Sequence, residues 1–593
     1  MSTDPSLVTF YKNRVASFQE KLEEVKQSLF ASSMLRLFVF CVFVVGTFAL
    51  SGAPKWVAII PLGGIALFLY LLSRHTDLRL KRDTLQELVT INETEIKVLA
   101  RDFHDRPDGS EYKHPLHYYS QDVDLFGKGS FYQYLDRTAL QHGNDTLATL
   151  LLENAITDIP KKQEAIRELA EKPDWRQHFT AIAKLVKTET TTEVIVGWMA
   201  DYTPFVPKLM KWVPLAFSGI SITVLIAYFF GFVHGLLPIA WIFLGLGLSG
   251  VYLKRIRNLA GQASKIQSTF RQYHKLLVLI ENETFVSQKL EEMRQTVLLQ
   301  KGKTSTFLRQ FAKLLGGLDS NNNVFYLIFG NGYFLGGLSY AFRVEQWIRD
   351  HGPEVSKWFD VVAFFDAHNT LGNFTYNHPT YTFPEIVEAD IVLDAKQVAH
   401  PLLDPSKSVK NDFLIDNEAF FIVTGANMAG KSTFLRTVSL HIVMANMGLP
   451  VCAETARYAP IKLITSMRTT DSLTDDESYF FSELKRLRFV VDNIQQDRYF
   501  IVLDEILKGT NSIDKAKGSR QFVERLVGSG ATGIIATHDL SLCEASEKWP
   551  RIQNYYFDAE IVDGELFFDY TLKQGICQNM NASFLLKKMG IVG

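Results

Sequence analysis

Cysteine is scarce: Cys41, Cys452, Cys543 and Cys577 are the only four in 593 residues. They are scattered, without the close pairs of a zinc site or the density of a disulfide framework. That excludes a disulfide-stapled secreted domain and suits a reducing cytosol. An excess of one charge is missing too, since 62 Lys and Arg face 64 Asp and Glu for a net charge of −2. The chain therefore has no global electrostatic push toward nucleic acid. A cleaved leader is not expected, because a charged, helix-like stretch at 10–30 precedes the first apolar run.

What the chain has instead is apolar length. Segments 37–53 and 56–72, then 213–233 and 236–253, each approach the roughly 20 residues a helix needs to cross a bilayer core. Short joins at 52–55 and 234–235 pair them into two hairpins, and the mean hydropathy of +0.03 is reasonable for a chain carrying four spans. Arg74, Arg79, Lys81 and Arg82 follow the first pair. Lys208 and Lys211 precede the second, and Lys254, Arg255 and Arg257 follow it. By the positive-inside rule both termini and the middle face the cytoplasm, which predicts a multi-pass protein of the inner (cytoplasmic) membrane. The spans carry no charge, so a transporter is the weakest of the membrane readings. The apolar stretch 324–342 is interrupted by Asn331 and several glycines, and an odd span would invert the C-terminal part; it is expected to be a buried helix. Residues 251–280 hold Lys254, Arg255, Arg257, Lys265, Arg271 and Lys275 with no acid. They read either as a juxtamembrane segment on anionic lipid or as a phosphate-tracking helix. Apolar residues at helical spacing over 276–299 predict one long amphipathic helix continuing from the fourth span.

The chemistry lies further on. The run GANMAGKS at 425–432 satisfies G-x-x-x-x-G-K-[ST] between an apolar run at 420–423 and a helical stretch at 434–447. Glycines there let backbone N–H groups close around phosphate oxygens at a helix start. Lys431 would reach the terminal phosphates, and Ser432 would hold Mg²⁺. A second apolar run, YFIVL at 499–503, ends in Asp504 and Glu505, as a buried parallel strand delivering two carboxylates reads. Asp504 would orient the Mg²⁺ shell and Glu505 would polarise the attacking water. A third run, GIIATHD at 533–539, places His538 to sense a γ-phosphate, although a lone His is more often a packed or surface residue.

Three such sites in this order describe an ABC-type ATPase. TGANMAGKSTFLR at 424–436, ANMGLPVCAETA at 445–456, DEILKGTNSIDKAKGS at 504–519 and ATHDL at 536–540 closely resemble the ATPase domain of the MutS family of DNA mismatch repair proteins. Upstream, GSFYQYLDRTALQHGNDTLATLLLENA at 129–155 and KKQEAIRELA at 161–170 look like the MutS core domain. The resemblance implies that Gly425, Asn427, Gly430, Lys431, Ser432 and Thr433 cradle ATP, that Ser432 and Asp504 hold Mg²⁺, and that Glu505, Lys431 and His538 are catalytic. It further implies a homodimer in which Ser478 completes the partner's site in trans, Asn511 lies on the loop crossing that interface, and Tyr570 stacks on adenine. Asp475, Asp476 and Glu477 depart from the family, which usually has a Gly and often a basic residue there; three acids oppose a γ-phosphate. The Phe-x-Glu of the family's mismatch wedge is spelled by Phe18, Gln19 and Glu20, but inside a short charged helix with no room for that domain.

The expected fold is an α/β ABC-type P-loop ATPase domain preceded by an all-α MutS-like core and lever domain with two transmembrane helical hairpins. Its parts are an N-terminal amphipathic helix at 1–33, hairpins at 34–73 and 212–253, core and lever helices at 74–211 and 254–385, and the ATPase at 386–593. The expected function is a membrane-anchored ATP hydrolase of mismatch-repair descent whose partners are a second copy, the lipid bilayer and DNA. The alternative is a mechanochemical membrane ATPase that acts on an unidentified protein or lipid partner without mismatch recognition.

Overall fold

The computed structural model describes residues 5–49, 54–185, 190–299, 302–388, 390–426, 428–468, 479–562 and 565–578. Helices α1 (Pro5–Ala49) and α2 (Pro54–Leu99) form a long antiparallel pair. Leu22, Val25 and Leu29 recur at helical spacing on α1 and meet Leu85, Leu88 and Ile91 of α2. The expected boundary between an amphipathic helix at 1–33 and a hairpin at 34–73 is absent. Between Pro5 at the start of α1 and Gly46 no Gly or Pro interrupts the chain, so polar base and apolar tip are one 45-residue helix. At the base, the Tyr11 hydroxyl donates to Asn377 Oδ1 at 2.6 Å, and Asn92 and Gln177 exchange amide hydrogen bonds of 2.8 and 3.0 Å. Toward the tip Leu37, Phe38 and Phe40 are exposed.

Helices α3 (Gln141–Leu152), α4 (Ile159–Ala170) and α5 (Pro173–Lys184) continue the helical part. The second apolar pair is α6 (Val213–Phe229) and α7 (Leu236–Gly250), of 17 and 15 residues. Each falls short of a full span. Helix α6 ends on Gly231 at φ 76°, with Gly231 N–H donating to Tyr228 O and Phe232 N–H to Ala227 O, the paired bonds of a Schellman turn. Phe217 and Trp241 stack at 4.8 Å across the pair. Among the described residues one helix, within Pro5–Gly46, is long and apolar enough to cross a membrane; α7 qualifies only when joined to α8 (Leu253–Asn282). Two full hairpins are thus not what the helix lengths give.

The helix predicted to run straight on from the fourth span bends by 70° between α7 and α8 and stops at Asn282. Glu168 accepts from the N–H groups of Val286 and Ser287, satisfying donors at the start of a separate helix, Gln288–Val297. After α9 (Thr304–Asp319) the stretch 324–342 is not one buried helix. It forms a π-turn (Tyr326–Gly330), a short helix (Asn331–Phe334), Leu335 at φ 49°, and then α10 (Gly336–His351). The Asn331 side chain takes the Gly337 N–H at 2.8 Å, which fixes the break. Val324, Phe325 and Phe329 are exposed, whereas Leu338 and Ala341 are buried. Gly332 crosses α7 so closely that a Cβ on Gly245 would lie 2.1 Å from its carbonyl oxygen. Helix α11 (Val355–Asn377) then threads the helical core, with Trp358, Phe359, Phe365 and Leu371 all buried.

The remainder is α/β. Strands β1 (Ile391–Val398) and β2 (Asn411–Asp416) belong to a small sheet, and β3 (Phe420–Gly425) begins the main one. Helix α12 (Lys431–Met447), β4 (Thr455–Tyr458), β5 (Lys462–Ser466) and α13 (Tyr479–Ile494) follow. Next come β6 (Tyr499–Asp504), α14 (Ser512–Gly528), β7 (Thr532–Ala536), β8 (Ile552–Phe557) and β9 (Leu572–Gln574). The main sheet has the order β9-β8-β3-β7-β6-β5, parallel except for β9. Its central strands are buried along their length, as a sheet covered on both faces requires.

Candidate nucleotide site

Strand register assembles the site. Ala536 of β7 pairs with Val423 on one side and Asp504 on the other, so β3, β7 and β6 end level and deliver their next residues to one edge. The carboxyl edge of a parallel sheet is where α/β folds bind ligands. From β3 the chain turns through Gly425 (φ 147°) and Gly430 (φ 105°) into α12. A Cβ on Gly425 would sit 2.6 Å from the Phe557 carbonyl oxygen, so glycine is required by contact as well as by conformation.

Lys431, at the first turn of α12, is buried, and its Nζ donates to the carbonyls of Gly425 and Ala426 at 2.7 and 3.0 Å. Burial pulls its ammonium below the usual lysine range, opposed by the nearby carboxylates of Glu505 and Asp504. Ser432 Oγ donates to Asp504 Oδ2 at 2.7 Å. Burial raises Asp504, and the bond from Ser432 partly offsets it. A hydroxyl and a carboxylate touching in this way form a hard-oxygen donor set that fits Mg²⁺. His538 joins the halves: its Nε2 lies 2.7 Å from Glu505 Oε1 and 3.4 Å from Lys431 Nζ. The His538 bond, ahead of the charges of Lys508 and Lys515 and against partial burial, holds Glu505 down to about 2.

Glu505 sits at φ 47° and Leu507 at φ 61°, both outside the conformations such side chains favour. The Glu505 N–H donates to Ala536 O at 2.9 Å, which pins the turn to the next strand. Thus Lys431, Ser432, Asp504, Glu505 and His538 come together. Thr433 is exposed one residue further along α12. Tyr570, at φ 52°, lays its ring against the loop, with its Cδ1 3.1 Å from where a Gly430 Cβ would be. Asn511 is exposed and accepts from the Asp514 N–H at 2.9 Å as the N-cap of α14. Asn427, Asp475, Asp476, Glu477 and Ser478 lie outside the described residues.

Sequence reading missed Lys508, whose Nζ lies 3.6 Å from Glu505 Oε2. Its only signal is a lysine three residues past a carboxylate, too common to single out. It also missed Asp122, a buried residue of the helical part. Asp122 accepts from Thr465 Oγ1 at 2.6 Å and from the N–H groups of Met467 and Arg468 at 3.1 and 2.8 Å, so it holds the end of β5.

Comparison with known proteins adds an independent line. Residues 421–587 match the family model described as MutS domain V. The chain is 30% identical over 212 residues to human MutS protein homolog 4, covering 34% of this chain and 22% of that protein. With the DNA mismatch repair protein MutS of Desulfatibacillum aliphaticivorans it shares 28% over 243 residues, 39% of this chain and 27% of the relative. With the protein of that name from Thermotoga petrophila it shares 24% over 324 residues, 54% and 37% of the two chains. The similarity thus spans between about a fifth and two fifths of these relatives.

Proposed function

Since the chain belongs to the MutS family, we propose that it is a membrane-anchored ATP hydrolase working as a homodimer, with DNA as its candidate client. The observation that carries this reading is the level ending of β3, β7 and β6, which gathers Lys431, Ser432, Asp504, Glu505 and His538 at one sheet edge. In it, Gly425, Asn427, Gly430 and Thr433 line the phosphate cradle, and Lys431 exchanges its carbonyl partners for phosphate oxygens. Ser432 and Asp504 hold Mg²⁺, which when bound neutralises charge on those oxygens. Glu505 is the carboxylate that orients water. His538 now occupies one of its oxygens, so His538 must turn toward substrate before Glu505 can act. Tyr570 offers an aromatic face beside Gly430, while Ser478 and Asn511 serve the dimer interface.

Membrane anchoring, at the inner membrane with the ATPase in the cytoplasm, is supported by the exposed apolar side chains of α1, α6 and α7 and by the exposed Val324, Phe325 and Phe329 packed beside that pair. Lys254, Arg255 and Arg257 follow immediately and are exposed, as a segment facing anionic headgroups would be. DNA enters because relatives are named DNA mismatch repair proteins. The exposed apolar helices favour a second reading, a mechanochemical ATPase acting on a protein or lipid partner. Hydrolysis by detergent-purified protein, with Glu505→Gln as the blank, is to be followed with and without duplex, mismatched and branched DNA across a salt series. Salt-dependent stimulation selects the DNA reading. Hydrolysis indifferent to every DNA selects the second, and equal turnover by Glu505→Gln removes the catalytic assignment.

A further inference from the structure

A small cleft of about 30 Å³ lies in the helical part, where α2, α5 and α11 meet the loops carrying Arg106 and Arg137. Four cationic side chains line it, Arg106, Arg137, Arg176 and Lys184, against the single lining carboxylate Glu95. That carboxylate is already engaged: Arg137 Nε meets its Oε1 at 2.6 Å and Asn377 donates to its Oε2 at 2.8 Å. Arg176 is buried and spends donors on the Leu169 carbonyl and Asn373 Oδ1 at 2.6 and 2.9 Å. Nearby acids are occupied too, since Asp136 accepts from Thr138 and Asp366 from the backbone of Ala139 and Leu140.

Three sets of donors remain. Arg106 gives one Nη to the Asp136 carbonyl at 2.7 Å, but its buried Nε has no partner. Asn369 is 3% exposed, and neither its Nδ2 nor its Oδ1 is hydrogen-bonded. Lys184 is an exposed lining residue that makes no ion pair among the described residues, with Glu87 and Asp366 the acids that act on it at longer range. A buried polar group without a partner costs free energy, and here the orphaned groups are the Arg106 Nε and the Asn369 amide. Burial pulls Arg106 below its ordinary value and Arg176 down to about 10. Guanidinium forks, an ammonium and a free amide converging on one small space match a tetrahedral oxyanion, whose several oxygens accept from them at once.

We propose that this cleft binds a phosphoryl group, as inorganic phosphate or as the head of a small phosphomonoester. Its walls come from α2 of the long antiparallel pair and from α5 and α11 of the helical core, so the bound anion ties the pair to the core. The site is independent of the nucleotide reading, and its test is run in a Lys431→Ala background so that the P-loop cannot account for the signal. Full-length protein in detergent is titrated with inorganic phosphate, with glycerol 3-phosphate, and with chloride at matched ionic strength, following thermal unfolding. The expected result is a saturable rise in melting temperature with a phosphate compound and not with chloride, its midpoint weakened at least tenfold in Lys184→Gln and in Arg106→Gln. The stronger of the two phosphate compounds identifies whether the mouth accepts an ester. Asn369→Ala supplies a second readout: it should fold at least as well as the parent without phosphate and gain less from adding it. An equal response to chloride, or midpoints unchanged in Lys184→Gln, overturns the proposal.

Discussion

Asp366 tests the electrostatics of the helical core. It is buried on α11, and its oxygens accept from the Ala139 and Leu140 N–H groups at 3.0 and 2.9 Å, yet burial wins and pushes it up to about 7. In the unfolded chain an aspartate titrates near 3.9. Between these values the native state holds a proton that the unfolded state has released, so stability falls as pH rises and levels off above about 7. Integrating from pH 5 to pH 8 gives a loss of about 2.5 kcal/mol from this one group. Asp366→Asn removes the titration while keeping an oxygen for the two N–H groups. Urea denaturation followed by tryptophan fluorescence, which Trp358 on the same helix reports, should show the variant gaining about 2 kcal/mol on the parent at pH 8 relative to pH 5. A stability difference that is the same at both pH values would refute the reasoning. It would mean that the backbone donors, not burial, set the charge state.

Other outcomes follow from the same geometry. Gly425→Ala places a Cβ 2.6 Å from a backbone oxygen at φ 147° and should cost the α/β part about 2 kcal/mol or more, with loss of nucleotide binding; melting and a fluorescent-nucleotide titration check both. Asp122→Ala strands two backbone N–H groups and a hydroxyl at the end of β5 and should destabilise by about 2–4 kcal/mol. Asp124→Ala, which breaks the part-exposed pairs with Arg468 and Arg436, should cost under about 1 kcal/mol by denaturant titration. Glu505 is depressed to about 2, so it contributes stability that is whole above roughly pH 4.3 and is lost as pH falls through about 2. His538→Ala removes the first cause of that depression, and acid unfolding followed by circular dichroism should begin at higher pH.

The motif-bearing edge was legible because each piece is local: an apolar run names a buried strand, and the residue after it is delivered to the strand's end. Lys431, Asp504, Glu505 and His538 could be placed in that way. Lys508 and Asp122 could not, since one matters through a turn at unusual φ and the other through a partner more than three hundred positions away. The helical part misled for a related reason. Hydropathy marks 324–342 as one element, but its break depends on Asn331 capping Gly337 and on Gly332 meeting Gly245, contacts that no periodicity encodes. Likewise a continuous apolar pattern predicts a straight helix where the chain bends by 70° after α7.

The uninterrupted α1 has a mechanical meaning. From Tyr11, tied to Asn377, to Phe48 near its far end the helix rises roughly 55 Å at about 1.5 Å per residue. A rod of that length is a pointer. Turning its base by about 10° would sweep the apolar tip through roughly 10 Å, so a displacement of less than the width of a side chain at α11 becomes, at the other end, a movement the size of a helix diameter.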